Sequence, residues 1–167
     1  MAPLDRIDDR DLANRLVQRL AAAAGRPLVR VAASVYAGDQ GIHDEPIAIW
    51  LYFAGLAPFR LFGSPEGWNL AVDDAPPEPY ATEELGEILI RDVTRLTTFR
   101  AVQDQTLQAA WLVESSLDRG PVGVRLHFGA FVSPIVLNLG DHLYVSHRYP
   151  ADPEIDETFS ERSIAFE

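Results

Sequence analysis

The chain has 167 residues and a hydrophobic content of 47%, which suits one domain with an ordinary core and leaves no room for two full domains. Its 25 acidic residues outnumber the 14 basic ones, and the formal charge of -11 argues against nucleic acids and anionic membranes as partners. Every basic residue is an arginine and cysteine does not occur, which excludes Schiff-base lysines, phosphate-cradling lysines, thiol nucleophiles, thiolate metal sites and disulfides.

The first predicted element is an amphipathic helix. Leu12, Leu16 and Leu20 are four positions apart and form one apolar stripe on a helical surface. Asp8 and Asp11 resemble the start of a capping box, and a glycine and a proline soon after the stripe end the helix. The residues before it are charged and lack the apolar core of a signal peptide, and no apolar run is long enough to span a bilayer. We therefore expect a cytoplasmic protein, and the arginine- and alanine-rich, lysine-free composition resembles that of proteins from GC-rich bacterial genomes.

Beyond Pro27 the hydrophobic period changes from about four to about two, which predicts strands. The predicted strands cover residues 28–36, 47–55, 59–63, 68–73, 86–93, 107–115, 122–128, 131–138 and 142–148. Residues 107–115 also fit helical spacing, although a strand is favoured. One helix followed by many strands with short turns predicts a single α+β domain over residues 1–150. Its N-terminal helix packs on a curled, mainly antiparallel sheet of about six to nine short strands.

Residues 151–167 differ in composition from the rest of the chain. Carboxylates, including Asp152 and Glu154, surround a few apolar side chains, so we interpret this segment as a solvated acidic C-terminal tail. The alternative is an acidic arm that docks on a basic partner, with Phe159, Ile164 and Phe166 as its apolar anchors.

The stretch NLGDHLYVSHRYP, residues 138–150, contains two histidines, and their spacing argues against a shared ligand. His142 and His147 point to opposite faces of a strand, and they are too far apart to meet on a helix. A hairpin that turns at Leu139-Gly140 would set Tyr144 opposite Ile135 and His147 opposite Val132. We therefore predict sheet packing here rather than catalysis.

Other polar groups are weak candidates for chemistry. His43, Asp44 and Glu45 lie in a predicted loop, but no HExxH, HxH or HxxxH spacing supports a metal site. Asp73 and Asp74 end a predicted strand, where aspartates commonly form turns. The GSPEG segment is not a GxSxG nucleophile elbow, and GxGxxG is absent. Trp50, Trp68 and Trp111 are in apolar, strand-like contexts and are predicted to lie in the core.

These observations favour a non-enzymatic, acidic protein-binding module with a basic protein partner. In size and charge the chain resembles the immunity proteins that neutralise secreted toxins, so an immunity-type inhibitor is one expected role. No catalytic residue, metal or cofactor is predicted, and the oligomeric state is left open. The predicted partner-binding residues are the carboxylates of the acidic loops and tail: Asp44, Glu45, Asp73, Asp74, Glu83, Glu84, Asp152 and Glu154.

The alternative hypothesis is a small-molecule-binding protein or a metal-dependent enzyme. Its site would be assembled from distant strands and loops and would leave no local motif. The candidate residues for this alternative are His43, Asp44, Asp73, Asp74 and His127.

Overall fold

The computed structural model of the chain describes residues 8–65, 67–82, 86–129, 132–151 and 156–166. In these ranges it contains one α-helix, one short 3₁₀ helix and twelve β-strands. Neither of the described helices is both long enough and apolar enough to cross a membrane.

Helix α1, Asp9–Ala23, begins where the Asp8 side chain accepts a hydrogen bond from the backbone N–H of Arg10 at 3.3 Å. Acidic residues in its first turn, Asp9 and Asp11, face the positive end of the helix dipole and stabilise this start. The helix buries the stripe that its spacing predicts: Leu12, Leu16, Leu20 and Ala23.

All strand pairings in the described residues are antiparallel. The strands are β1 (Leu28–Gly38), β2 (Gly41–Ile42), β3 (Ala48–Phe53), β4 (Phe59–Gly63), β5 (Leu70–Asp73), β6 (Tyr80–Ala81), β7 (Gly86–Asp92), β8 (Ala109–Ser115), β9 (Pro121–His127), β10 (Ile135–Asn138), β11 (Leu143–Ser146) and β12 (Phe159–Ser163). The 3₁₀ helix, Thr98–Val102, lies between β7 and β8.

The strands form two hydrogen-bonded sheets. The first has the order β5-β4-β3-β1-β7-β6, with β2 paired to the end of β1. The second has the order β11-β10-β9-β8-β12. Because most neighbours in each sheet are also neighbours in sequence, short turns build most of the fold, as hairpin topologies require.

One apolar core is shared by the helix and both sheets. It joins Leu16 and Leu20 of α1 to side chains such as Leu51 of β3, Leu112 of β8 and Val124 of β9. Helix α1 contacts β5 in the first sheet and β8 and β9 in the second. The helix therefore covers the place where the two sheets meet, and its apolar stripe seals the core there.

The predicted fold class is confirmed: one N-terminal helix packs on a strongly curled antiparallel sheet structure of many short strands. The strands number twelve rather than about six to nine, partly because the two-residue strands β2 and β6 are too short to give an alternating pattern. Residues 107–115, for which helical spacing was the alternative, contain strand β8.

Part of the segment for which we predicted an acidic C-terminal tail forms regular structure, while residues 152–155 and 167 lie outside the described residues. Phe159–Ser163 is strand β12, which pairs with β8 at the edge of the second sheet. Ile164 is buried in the main core and Phe166 packs against it. These anchors of the alternative interpretation are thus used within the chain, because the apolar side chains gain more from the core than from water.

The hairpin formed by β10 and β11 has a different register from the expected one. Leu137 faces Tyr144, and Ile135 faces Ser146. The connection contains four residues, and its backbone hydrogen bond joins Leu139 N–H to His142 O at 3.0 Å. The expected two-residue turn was wrong, and the longer turn moves the pairing by two positions.

The prediction that all three tryptophans are core residues was wrong for Trp68 and Trp111. Trp50 is buried, whereas Trp68 is 51% exposed and precedes strand β5. Trp111 is half-buried on the outer face of the second sheet, with the guanidinium of Arg125 over its ring at 3.9 Å. An apolar context in the sequence does not fix which side of a sheet a side chain occupies.

Candidate functional site

Asp44 and Glu45, two of the predicted partner-binding carboxylates, are exposed in the connection between β2 and β3. Neither of them forms an ion pair with an arginine of the described residues. The neighbouring His43 is held against Tyr36, with ring centroids 5.1 Å apart and edge-to-face geometry. This loop therefore presents its two charges to solvent.

Asp73 and Asp74, by contrast, are paired with arginines. The Arg60 Nε donates to Asp73 Oδ1 at 2.8 Å, and a second guanidinium nitrogen contacts the other carboxylate oxygen. Partial burial disfavours the ionised form of Asp73, but hydrogen bonds from Arg60 and from the backbone of Ala75 outweigh it and lower the pKa. Asp74 pairs with Arg19 of helix α1. Both aspartates are thus paired with arginines, Asp73 at a half-buried position and Asp74 at an exposed one.

The remaining predicted partner-binding residues, Glu83, Glu84, Asp152 and Glu154, lie outside the described residues.

The candidates for a metal-dependent enzyme are not brought together. His127 lies on β9 of the second sheet, where its Nδ1 is 3.1 Å from Ser133 Oγ, whereas Asp73 ends β5 of the first sheet. In the part of the chain that the structure describes, no group of three or more His, Asp or Glu side chains is placed to hold a metal ion.

The turn between β10 and β11 lies beside a small cavity on the outer face of the first sheet. We call it the Arg60 cavity; its volume is 190 Å³. Apolar walls come from Trp50 and Phe62, and polar groups come from Arg60, Tyr80, Asp141 and His142. His147 lies elsewhere, beside Thr97 and Arg100. The two histidines are thus separated, as their spacing predicts.

A larger cavity of 570 Å³ lies on the outer face of the second sheet, and we call it the Trp68 cavity. Its size falls within the range of about 300–1,000 Å³ that is usual for ligand sites. The lining residues come from five separate parts of the chain: Trp68, Leu117, Asp118, Val122, Leu137, Asn138, Leu139, Pro150, Glu157 and Phe159.

Apolar side chains dominate the Trp68 cavity. Val122 and Leu137 belong to a buried cluster on this face of the sheet, against which Leu139 and Phe159 pack. At the rim, Trp68 is 51% exposed and Leu117 is 60% exposed. Large apolar groups held in water around a concavity are a feature of binding surfaces.

Two carboxylates, Asp118 and Glu157, lie in this apolar lining. Burial, together with the negative charge of Glu157, raises the pKa of Asp118. Within the described residues, no arginine forms an ion pair with either group. The cavity thus has a negative side whose charges repel each other.

Hydrogen bonds hold the walls of the Trp68 cavity in place. The Ser115 hydroxyl donates to Glu157 Oε1 at 2.5 Å, which fixes this carboxylate against the end of β8. On the opposite side, the buried amide of Asn138 donates to the backbone oxygens of Gly67 and Asn69 at 3.2 and 3.0 Å, and it accepts from Gly140 N–H. The Trp68 backbone is therefore tied to the β10–β11 turn.

Gly140 leaves room for the Trp68 ring. A Cβ at this position would lie 2.9 Å from the ring, and the backbone φ of +95° is one that favours glycine. The position of Trp68 thus depends on a glycine in the β10–β11 turn.

A cluster of charged and aromatic groups supports the Phe159 wall. Arg125 donates to both oxygens of Glu161, at 2.6 and 2.7 Å, and the Tyr149 hydroxyl donates to Glu161 at 2.5 Å. The ring of Tyr149 stacks on Phe159 with centroids 5.0 Å apart. The bonds from Arg125, opposed by partial burial, lower the pKa of Glu161. Arg125, Glu161 and Tyr149 thus satisfy one another's hydrogen bonds, and the Tyr149 ring positions Phe159.

Four residues of the Trp68 cavity were not predicted as site residues from the sequence: Trp68, Leu117, Asp118 and Glu157. Asp118 lies between the predicted strands 107–115 and 122–128, and Glu157 lies in the predicted acidic tail. One available signal was the position of Trp68 between Gly67 and Asn69, directly after the SPEG turn, where a large apolar side chain is unusual.

Comparison of the chain with protein-family models, with curated proteins and with solved structures finds no match. The candidate site therefore rests on the chemistry of its own residues.

Proposed function

We propose that the protein is a non-enzymatic binding module that holds a basic protein partner, as an immunity-type inhibitor does. The observation that carries this proposal is the Trp68 cavity, where exposed apolar side chains surround carboxylates that no described arginine neutralises. A basic protein supplies both the apolar contact and the positive charge that such a surface lacks.

The overall charge supports the same proposal. A formal charge of -11 attracts cationic proteins over distances of about one Debye length, roughly 8 Å at physiological salt. The exposed carboxylates of Asp44 and Glu45 add to this field without being engaged by described arginines. Net charge steers association, and the apolar cavity provides the area that keeps the complex together.

The proposal is tested by capture from a lysate of the native host at low salt, followed by elution with rising salt. We expect one basic protein to be retained and to be released as the Debye length falls from about 30 Å at 0.01 M to about 3 Å at 1 M salt. The purified pair should then show the same salt dependence in its dissociation constant. Retention of only acidic or neutral proteins, or binding that salt leaves unchanged, would contradict the proposal.

A small-molecule-binding role is the second candidate, and the Arg60 cavity favours it. Arg60, Tyr80 and His142 come from distant positions and converge on this space of 190 Å³. Its ligand would be small, and Arg60 is already paired with Asp73. Screening of small metabolites by the melting temperature, with the His142→Ala variant as control, tests this role. A stabilising metabolite whose effect disappears in the variant would support it.

A further inference from the structure

We propose that the Trp68 cavity receives one long cationic side chain, an arginine or a lysine, together with an apolar neighbour, from a protein partner. This inference rests on the proposed function and specifies the chemistry of the partner at one site.

The lining of the cavity combines apolar side chains with two carboxylates. Leu139 and Phe159, which pack against the buried Val122 and Leu137, offer half-buried apolar surface. Trp68 adds exposed apolar surface at the rim. Asp118 and Glu157 contribute the negative charge, and Glu157 is held by Ser115. A ligand that fits both the apolar surface and the carboxylates needs an aliphatic stem and a positive end. Arginine and lysine have this construction, because their methylene stems lie along apolar surfaces while the charged head stays near water or a carboxylate.

Among the described residues, no arginine forms an ion pair with the carboxylates of the cavity. Each of the arginines Arg19, Arg30, Arg60, Arg125 and Arg162 forms an ion pair with a carboxylate elsewhere. A bound cation would offset the repulsion between Asp118 and Glu157. Its electrostatic interaction should therefore be more favourable here than beside Asp73, which is already paired with Arg60.

Rim residues provide the second contact. Trp68 and Leu117 project large apolar surfaces beside the opening, and aromatic anchors of this kind are common where protein interfaces are strongest. The Trp68 ring can also attract a cation by its π face. A segment with a basic residue next to an apolar one would therefore occupy the cavity and its rim together.

The test uses three probes with the same apolar stem and different charge: n-hexylammonium, 1-hexanol and hexanoate. Binding is followed by the indole N–H signal of Trp68 in ¹H–¹⁵N spectra, which the Trp68→Phe variant assigns. We expect n-hexylammonium to bind about tenfold more tightly than 1-hexanol, because hydrogen bonds to charged groups are the stronger ones. Hexanoate should bind more weakly than both. Equal affinity for the cation and the alcohol would overturn the inference, as would the absence of any Trp68 shift.

Two double variants with the same net charge sharpen the result. Asp118→Asn with Glu157→Gln neutralises the cavity, and it should remove the preference for the ammonium probe. Glu87→Gln with Asp104→Asn neutralises two exposed carboxylates at other positions and should keep that preference. Asn is suitable at position 104, where φ is +63°. If the cavity variant does not fold, the three probes on the unchanged protein still decide the question.

The outcomes separate this inference from the proposed function. If the probes behave as expected but no basic protein is captured, the cavity binds cations and the proposed function fails. If a basic protein is captured equally well by the cavity variant, the function stands and this inference is overturned. A dimer that the cavity variant dissociates, seen by sedimentation, would assign the cation to a second copy of this chain and overturn a separate partner.

Discussion

Carboxylates are used in opposite ways at the outer face of the first sheet and in the Trp68 cavity. Asp73 is held by two contacts from Arg60, and its pKa is lowered despite partial burial. Burial and the negative charge of Glu157 raise the pKa of Asp118. The same chemical group therefore stabilises the fold in one region and keeps an uncompensated charge in the other. Pairing with arginine, rather than the number of carboxylates, distinguishes structural charge from charge available to a partner.

The outer face of the first sheet and the Trp68 cavity should belong to one folding unit. Substitution of Leu16 tests this and should have the largest effect on stability. Leu16 of α1 is fully buried in the core that both sheets share. We expect Leu16→Ala to lower the free energy of unfolding by about 2–5 kcal/mol, because the cavity it leaves removes contacts from both sides. Denaturant melts followed by tryptophan fluorescence and by circular dichroism should shift together. Separate transitions would mean that the sheets unfold independently.

The next effect tests whether Arg60 is a structural partner of Asp73. Arg60→Met keeps an apolar stem against Phe62, over whose ring the guanidinium lies at 4.2 Å, and removes the charge. We expect a loss of about 1–2 kcal/mol in the free energy of unfolding, because Asp73 keeps a half-buried charge without its partner.

Arg19→Met is the matched control for Arg60→Met. The Arg19 and Asp74 side chains are 40% and 58% exposed, compared with 28% and 37% for Arg60 and Asp73. The control should therefore lose less than about 1 kcal/mol. Equal losses in the two variants would remove the distinction between the pairs.

Carboxylates with lowered pKa values and the one with a raised pKa should change the free energy of unfolding in opposite directions as the pH changes. Asp73, Asp92 and Glu161 have lowered pKa values, each from hydrogen bonds and arginine charge that outweigh any burial. Their contribution is fully present above the ordinary carboxyl pKa and is lost as the pH falls through the lowered values. The ionisation of Asp118 has the reverse sign, since its stabilising contribution is present at low pH and is lost as the pH rises through its raised pKa.

Melts in denaturant between neutral and acidic pH test these signs. The unchanged protein should lose stability on acidification, because among the described carboxylates three pKa values are lowered and one is raised. In Arg60→Met the acid loss should be smaller, since Asp73 no longer has a charged partner to lose. A stability that is flat over this range would contradict the assignment of the paired carboxylates.

The smallest effect concerns Asp118 itself. Asp118→Asn should raise the free energy of unfolding at neutral pH by about 0.2–0.5 kcal/mol, because it removes the repulsion from Glu157 at a largely solvent-screened position. The gain should vanish at a pH where Asp118 is protonated in the unchanged protein. A loss of stability at neutral pH would show that the Asp118 charge has a favourable partner.

The regular elements were predictable because their signals are local. The spacing of Leu12, Leu16 and Leu20 fixes both the helix and its buried face, and alternation locates most strands. Strand β12 was missed because it is an edge strand whose only large apolar side chain is Phe159. Its place is set by pairing with β8, which no local pattern expresses.

The candidate site was less predictable because it depends on distant contacts. Ser115 and Glu157 are 42 positions apart, and their hydrogen bond brings the end of β8 to the C-terminal segment. Nothing in the local sequence indicates that the charge of Glu157 acts on Asp118, because Glu157 is brought near by this contact. Asp73 and Asp74 stood out in the sequence, but Arg60 and Arg19 neutralise them from positions that the sequence does not connect to them.

The hydrogen bonds of Asn138 link the Trp68 cavity to the stability of the whole domain. Through this amide, the chain before β5 of the first sheet is tied to the β10–β11 turn of the second, so Trp68, in the segment before β5, is held beside a cavity floor that belongs to the second sheet. The cavity exists in full only while the two sheets are together. Ligand binding to the cavity is therefore thermodynamically linked to the folded arrangement of the two sheets. A bound molecule should raise the melting temperature of the whole domain, because it binds only the folded state.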